Sequence, residues 1–237
     1  MASDYAVDGL LFDLDGVVVD SERARDTVMA EFIASFGKTY DRERTKPFLA
    51  GKPDLEVATI IKRRYDLPGT PQEIKDARTT SIHRLYADTI PFVPGFLEFY
   101  KGLRAAFPQA RVAAASGMDV PYFDAIDARL SLTSLFDGNV FLSHRLKIRS
   151  KPLPDIFFHA ARNIGADPAS CVVFEDAPNG LIAATGAQML KIAFTRTFGE
   201  QVLRDYVRNQ LGWEPHALYV DEFNAKSLKR VIRYVRG

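Results

Sequence analysis

The sequence predicts an α/β fold, with a Rossmann-like parallel sheet covered by helices on both faces and one inserted helical domain. From residue 95 onward, short apolar segments alternate with helical patterns, which is typical of a parallel sheet. Between about residues 19 and 90 the pattern is helical throughout, with no strand-like alternation. We therefore assign residues 1–18 and 91–237 to an α/β core domain, and residues 19–90 to the inserted helical domain.

The elements follow from apolar spacing and from their end signals. An apolar strand opens the chain and ends at Asp13, and Gly37 is a plausible end for the first helix. Predicted helices cover 21–37, 43–50, 54–66, 71–87, 96–107, 119–130, 154–164, 178–185 and 225–235. Predicted strands cover 111–115, 139–142, 171–174, 189–193 and 217–220.

The opening strand ends in closely spaced carboxylates. Asp13 and Asp15 are two residues apart, so in an extended strand they share a face. Gly16 then lets the backbone turn away without a steric penalty. Two such carboxylates repel each other. This arrangement suits either a bound cation, or one acid that attacks while the other donates a proton; a strand end whose acids merely cap a turn is the alternative.

Polar residues follow three further segments. Ser116-Gly117 ends one predicted strand, Glu175-Asp176 ends another, and Lys151 precedes a predicted helix. Ligands of open parallel sheets bind at the carboxyl ends of the strands. Taken together, these residues predict a phosphate site, with Lys151 and Ser116 binding phosphoryl oxygens and the acids holding Mg²⁺, which prefers oxygen ligands. Taken singly, each could be a helix cap or a solvated charge.

The four segments resemble the motifs of the haloacid dehalogenase-like (HAD) phosphohydrolases, in order and in spacing. The matching residues are Asp13-x-Asp15, Ser116, Lys151-Pro-x-Pro-Asp155 and Glu175-Asp176-Ala-x-x-Gly180. The helical insertion resembles the C1-type cap of that family, and the subgroup similar to β-phosphoglucomutases and small sugar- or polyol-phosphate phosphatases is the best match. The resemblance covers nearly the whole chain.

This resemblance implies a mechanism and a cofactor. Asp13 would attack phosphorus and form an aspartyl-phosphate, and Asp15 would act as the general acid and then as the base. The implied Mg²⁺ ligands are Asp13, the Asp15 carbonyl and Asp176, with Glu175 as a ligand or as the partner of one. Ser116, Gly117 and Lys151 would bind the phosphate. We therefore expect a Mg²⁺-dependent phosphatase of a small phosphorylated metabolite.

The substrate is open, and the alternative activity is that of a phosphosugar mutase of the β-phosphoglucomutase type. Glu22, Arg25 and Lys52 are candidate substrate contacts. In proteins that resemble β-phosphoglucomutase, a cap histidine occupies the position of Arg25 and an arginine that of Asp54, which favours hydrolysis. A receiver-type phospho-acceptor and a catalytically silent binding protein are the remaining hypotheses; receiver modules are about half this length, and the intact acids argue against the second.

Composition sets limits on partners. The 31 Lys and Arg balance 30 Asp and Glu, so no global field favours nucleic acid or an anionic membrane, and we expect neither partner. We interpret the cations of the last helix as a solvated face. The single cysteine, Cys171, suits a reducing compartment, and no signal peptide or membrane span is expected. We expect a cytoplasmic monomer that acts on a small phosphorylated molecule.

Overall fold

The computed structural model describes residues 6–49 and 54–237. The chain forms two compact units, one made of residues 1–20 and 91–237 and the other of residues 21–90. We call them the core unit and the helical unit.

In its described residues, the helical unit contains four helices: α1 (Ser21–Ala34), α2 (Arg42–Leu49), α3 (Asp54–Tyr65) and α4 (Pro71–Asp88). They enclose a small apolar core. Its fully buried members include Ile33 of α1 and Ile61 of α3, and Ile74 of α4 packs with them. At the edge of this core, the Thr45 hydroxyl and the Tyr65 hydroxyl lie 2.6 Å apart. The predicted all-helical insertion is therefore present, although the predicted end of the second helix, at residue 50, lies outside the described residues.

The core unit is built on a six-stranded parallel sheet. Its strands are β1 (Gly9–Phe12), β2 (Arg111–Ser116), β3 (Val140–Leu142), β4 (Cys171–Glu175), β5 (Leu190–Phe194) and β6 (Leu218–Val220). Their order is β3-β2-β1-β4-β5-β6, and every neighbouring pair is parallel. The first strand thus lies centrally, between β2 and β4, and the carboxyl ends of all three meet at one edge.

The helices of the core unit follow the strands in sequence. They are α5 (Phe96–Ala106), α6 (Val120–Leu130), α7 (Leu132–Leu135), α8 (Ser143–Leu146), α9 (Asp155–Asn163), α10 (Pro178–Gly186), α11 (Glu200–Leu211) and α12 (Ala225–Arg236), with a 3₁₀ turn at Pro168–Ser170. No helix in the described part of the chain is long and apolar enough to cross a membrane.

Successive side chains of β1 point to opposite faces of the sheet, and helices pack on both faces. Leu11 packs with Ile156 and Phe157 of α9 and with Ala183 of α10. On the opposite face, Phe12 stacks on Phe174 at 4.4 Å and meets the ring of Phe96 of α5 edge-on at 6.0 Å. The predicted α/β class is confirmed. Because β1 is packed on both faces, Asp13, which follows Phe12, has a fixed position at the carboxyl edge of the sheet.

The prediction missed the two four-residue helices α7 and α8 and one longer helix, α11. Its apolar residues Leu203 and Val207 are four apart and buried against β5, β6 and α10, while Val202 and Tyr206 are exposed. The exposed apolar residues blur the helical stripe, so periodicity alone gives a weak signal. Gly199 and Gly212 flank the helix and mark its two ends.

The last helix, α12, has the solvated basic face expected of it. Its buried residues include Val231 and Val235, and the five cations Lys226, Lys229, Arg230, Arg233 and Arg236 are exposed. Two of these cations also bind backbone carbonyls: Arg230 donates to Tyr219 at 3.0 Å and Arg236 donates to Ala106 at 3.1 Å. Part of this charge therefore anchors the helix to the core unit.

Candidate active site

The first acid of the opening motif, Asp13, is buried at the end of β1. Only 7% of the residue is exposed, and its N–H donates to the Phe174 carbonyl at 3.0 Å. The chain then turns sharply, with the Gly16 N–H donating to the Val19 carbonyl at 2.9 Å. Gly16 has a φ of 75°, and a Cβ there would overlap the Asp176 carboxylate. The motif therefore needs glycine both for its backbone conformation and for the close approach of Asp176.

The Lys151 ammonium joins three of the four predicted segments. It donates to Asp13 Oδ1 at 2.6 Å, to Glu175 Oε1 at 2.6 Å and to the Ala115 carbonyl at 3.0 Å. It also lies 4.9 Å from the centroid of the Phe157 ring. An ammonium has three hydrogens, so these bonds use its full donor capacity. The nearby Arg149 instead pairs with Asp155, at 2.8 and 3.1 Å.

The two acids that follow β4 have different surroundings. Glu175 Oε2 accepts the backbone N–H groups of Asp176 at 3.0 Å and Ala177 at 3.1 Å, while Oε1 accepts from Lys151. A Cβ at Gly180 would overlap the Glu175 carboxylate, which explains a glycine at that point of α10. Within the described ranges, Asp13, Glu175 and Asp176 each offer a ligand atom within 4.8 Å of the others. Three carboxylates this close can hold a divalent cation.

The predicted phosphate loop follows β2, next to the Lys151 contact at Ala115. Ser116 is buried, with 1% exposed, and its Oγ accepts the Met118 N–H at 3.1 Å. This bond uses the oxygen as an acceptor, so the hydroxyl hydrogen can still be donated. Gly117 is exposed, and a Cβ there would meet nothing within 4 Å. The loop therefore leaves open space beside its backbone.

The electrostatics of the site favour an additional positive charge. Burial raises the pKa of Asp13 to about 7; Lys151 opposes this shift, while Glu175 and Asp15 add to it. For Lys151, burial lowers the pKa, but Asp13 and Glu175 outweigh burial and raise it above its usual value. Lys151 is therefore held in its cationic form, while burial opposes the ionisation of Asp13. A bound cation would complete its ionisation.

Of the three predicted substrate contacts, only Arg25 has a described side chain. Arg25 lies on α1, partly buried. The side chain of Glu22 and the whole of Lys52 lie outside the described residues. Asp54, at the first position of α3, forms an ion pair with the buried Arg78 of α4. Because this pair lies within the helical unit, the charge of Asp54 is compensated there.

Sequence reasoning missed one residue of the site, Thr197. Its hydroxyl donates to Asp176 Oδ2, and the neighbouring Arg196 pairs with Asp20 at 2.7 Å. Thr197 and Arg196 both lie in the loop after β5. Strand β5 is paired with β4 in parallel, and Glu175 lies opposite Ala193. The available signal was positional, because polar residues directly follow an apolar strand predicted to lie in the same sheet.

Comparison with known proteins places this geometry in a family. Residues 7–188 match the family model described as hydrolase, haloacid dehalogenase-like hydrolase. This match spans all four predicted motifs, from Asp13 to Gly180.

Individual relatives are phosphatases. Fructose-1-phosphate phosphatase YqaB of Escherichia coli (strain K12) is 30% identical over 181 residues, which are 76% of this chain and 93% of that protein. Hexitol phosphatase B of the same strain is 28% identical over 184 residues, 77% of this chain and 81% of that protein. A crystal structure of a HAD family hydrolase from Deinococcus radiodurans R1, with bound phosphate and sodium, superimposes with a TM-score of 0.79 at 24% identity, covering 98% of this chain and 97% of that one. At that identity the last likeness supports the fold alone.

Proposed function

Because the chain belongs to the haloacid dehalogenase-like hydrolase family and is a phosphoric monoester hydrolase, we propose that it hydrolyses a small sugar or polyol phosphate with the help of Mg²⁺. The relatives named above act on fructose 1-phosphate and on hexitol phosphates. The proposed location is the cytoplasm, in keeping with the single, buried and unpaired Cys171.

One observation carries the proposal: Lys151 bridges Asp13 and Glu175, with Asp176 in the same carboxylate cluster. A buried lysine that donates to two carboxylates compensates their negative charge and leaves their remaining lone pairs available. A nucleophilic carboxylate, a cation beside it and a cluster of metal-binding oxygens are the parts that phosphoryl transfer requires.

The side chains present fit a Mg²⁺ ion. The cluster consists of carboxylates, and Mg²⁺ is a hard cation that binds oxygen. We propose Asp13, Asp176 and the Asp15 carbonyl as its ligands. Glu175 is within reach, but its two oxygens already accept three hydrogen bonds, so we propose that it positions Lys151 instead. When bound, Mg²⁺ would offset the repulsion between the Asp13 carboxylate and a phosphate dianion.

The residues of the chain would perform two chemical steps. In the first, an Asp13 oxygen attacks phosphorus, the bond to the leaving oxygen breaks, and Asp15 gives that oxygen a proton. In the second, Asp15 takes a proton from water, which attacks phosphorus and releases phosphate from Asp13. Asp15 is more exposed than Asp13, and it lies close enough for its charge to raise the pKa of Asp13. Ser116 and the Gly117 N–H would donate hydrogen bonds to the phosphoryl oxygens, and the positive charge of Lys151 would stabilise them.

We assign residues 19–90 the role of the cap that reads the leaving group, with Glu22, Arg25 and Lys52 as candidate contacts. Arginine can bind anions or vicinal hydroxyl groups through two parallel hydrogen bonds. We favour hydrolysis over mutase chemistry, since Arg25 and Asp54 replace the histidine and arginine typical of the mutase cap. A monomer is part of the proposal.

The experiment is a phosphate-release assay over a panel of sugar, polyol and nucleoside phosphates, with wild type, Asp13→Asn and Asp137→Asn. We expect Asp13→Asn to lower turnover more than about 10³-fold, because an amide cannot form the acyl phosphate. Asp137 is an exposed carboxylate, and its variant should retain activity. The circular dichroism spectrum should be unchanged in both.

Two results would contradict the proposal. Turnover of Asp13→Asn within tenfold of wild type excludes it as the nucleophile. If β-glucose 1-phosphate with a trace of the 1,6-bisphosphate gives glucose 6-phosphate and no free phosphate in a phosphorus NMR spectrum, the enzyme is a mutase.

A further inference from the structure

Thr197 lies where it can control the orientation of Asp176. It follows β5, whose carboxyl end lies beside that of β4 because the two strands are paired and parallel. The loop is held on both sides of Thr197: the Thr195 N–H donates to the Val220 carbonyl at 2.9 Å, and the Gly199 N–H donates to the Thr195 carbonyl at 2.7 Å. Thr197 therefore extends from a closed turn, and its hydroxyl donates to Asp176 Oδ2.

The same carboxylate is confined on a second side. A Cβ at Gly16 would overlap Asp176 Oδ2 and would lie 3.1 Å from the Thr197 Oγ1. Asp176 Oδ2 and the Thr197 hydroxyl thus both lie beside the space that a side chain at Gly16 would occupy. Asp176 is 3% exposed, so it has little freedom to change its rotamer.

The Thr197 hydroxyl adds a neutral hydrogen-bond donor to a cluster whose lysine contacts two other acids. The three hydrogens of Lys151 are used on Asp13, Glu175 and the Ala115 carbonyl. Asp176 is just as buried as those acids, and burying a carboxylate without hydrogen bonds is costly. The Thr197 hydroxyl supplies one such bond. A carboxylate has about four acceptor sites, so the bond leaves capacity for a cation.

We propose that Thr197 is a positioning residue that fixes the Asp176 carboxylate in the orientation that binds the divalent cation. The inference rests on the proposed cation site. Partners that orient a metal ligand through a hydrogen bond contribute about 10–100-fold to metal affinity. Thr197 acts through Asp176 and does not touch the substrate.

The test compares Thr197→Val, which keeps the shape and loses the hydroxyl, with Thr197→Ser, which keeps the hydroxyl. Thr195→Val is the matched control, since Thr195 Oγ1 donates to the Val220 carbonyl at 3.3 Å rather than to an acid. Mg²⁺ binding is measured by isothermal titration calorimetry on the full chain, alongside the Mg²⁺ concentration that gives half-maximal phosphate release. Trp213 fluorescence and circular dichroism confirm folding.

We expect Thr197→Val to weaken Mg²⁺ binding about 10–100-fold, with turnover at saturating Mg²⁺ far less affected. Thr197→Ser and Thr195→Val should bind Mg²⁺ like wild type. A Kd for Thr197→Val within about twofold of wild type overturns the proposal, as does a Thr197→Ser variant impaired equally with Thr197→Val. If wild type itself binds no Mg²⁺, the proposed cation site is wrong and the role of Thr197 falls with it. If only the variants disagree, the cation site stands.

Discussion

Replacing Lys151 with methionine tests whether one ammonium holds the site together. The variant keeps the length and apolar stem of the side chain but removes three hydrogen bonds, two of them to buried carboxylates. The lysine side chain is 11% exposed, that of Asp13 10% and that of Glu175 1%, so water can replace the ammonium only poorly.

The magnitude follows from the contacts. At 2.6 Å and an effective dielectric constant of about 20, each ion pair has about 6 kcal/mol of Coulomb attraction, most of which offsets the desolvation of the charges. Removing one partner of such a buried pair lowers the free energy of unfolding by about 3–5 kcal/mol. For a chain of this length that corresponds to a fall in Tm of about 6–20 °C.

The loss should depend on pH, because Asp13 can take up a proton. In wild type its pKa is about 7 in the folded protein against 3.8 for an ordinary aspartate, so its ionisation lowers stability as pH rises from about 3.8 to 7 and no further above that. Without Lys151 the folded-state pKa is higher still, and stability keeps falling above pH 7. The deficit of the variant should therefore grow by about 1.4 kcal/mol per pH unit above 7, which is about 2 kcal/mol at pH 8.5.

The assay is thermal unfolding in EDTA at pH 6 and pH 8.5, followed by the fluorescence of Trp213. This residue is the single tryptophan and lies in the core unit, so it reports on the unit that contains the site. Lys101→Met, at an exposed position of α5, is the matched control and should leave Tm unchanged at both pH values. A second substitution, Asp13→Asn, should abolish the pH-dependent part of the Lys151→Met deficit. An equal deficit at pH 6 and pH 8.5, or a Tm within about 2 °C of wild type at both, would refute the reasoning.

Two further predictions concern the glycine of the fourth motif and the metal. Gly180→Ala should lower the free energy of unfolding by about 1–3 kcal/mol and reduce activity, because its Cβ would displace Glu175. The control is Gly186→Ala in the same helix, where a Cβ would lie 3.5 Å from Pro154; it should be neutral or stabilising by about 1 kcal/mol. Urea unfolding and a phosphate-release assay distinguish the two variants. Exhaustive EDTA treatment should abolish activity, and added Mg²⁺ should restore it. Asp176→Ala should raise the Mg²⁺ concentration required for activity more than about tenfold, with an unchanged circular dichroism spectrum. Full activity without metal would contradict the cation site.

The sequence predicts the parts of this molecule that depend on local pattern. The apolar strands and the carboxylates that end β1 and β4 are visible as residue types at fixed spacing, and parallel pairing then places them at one edge. The contact between Lys151 and Asp13 joins residues 138 apart, but the strand-end rule together with the motif resemblance anticipates it.

What pattern could not supply is the choice among chemically similar neighbours. Lys147 and Arg149 carry the same charge as Lys151 and lie near it in the sequence. Only the fold shows that Lys147 is exposed and that Arg149 pairs with Asp155. Thr197 has only a positional signal, as a polar residue shortly after an apolar strand, because its importance depends on a hydrogen bond to a residue 21 positions earlier. Such contacts are set by how two loops approach each other, which apolar periodicity does not encode.

The site can hold closely spaced carboxylates because two neighbouring positions are glycines. Asp13, Glu175 and Asp176 lie within 4.8 Å of one another around a single lysine, an arrangement whose mutual repulsion lowers stability. Gly16 and Gly180 make it possible, because a Cβ at either position would occupy the space of a carboxylate. The aromatic packing of Phe12 against Phe174 and Phe96 fixes the strands that deliver the acids, so the stability of the sheet offsets the repulsion at its edge. It follows that stabilising substitutions in the carboxylate cluster should lower activity, whereas stabilising substitutions in the aromatic face should not.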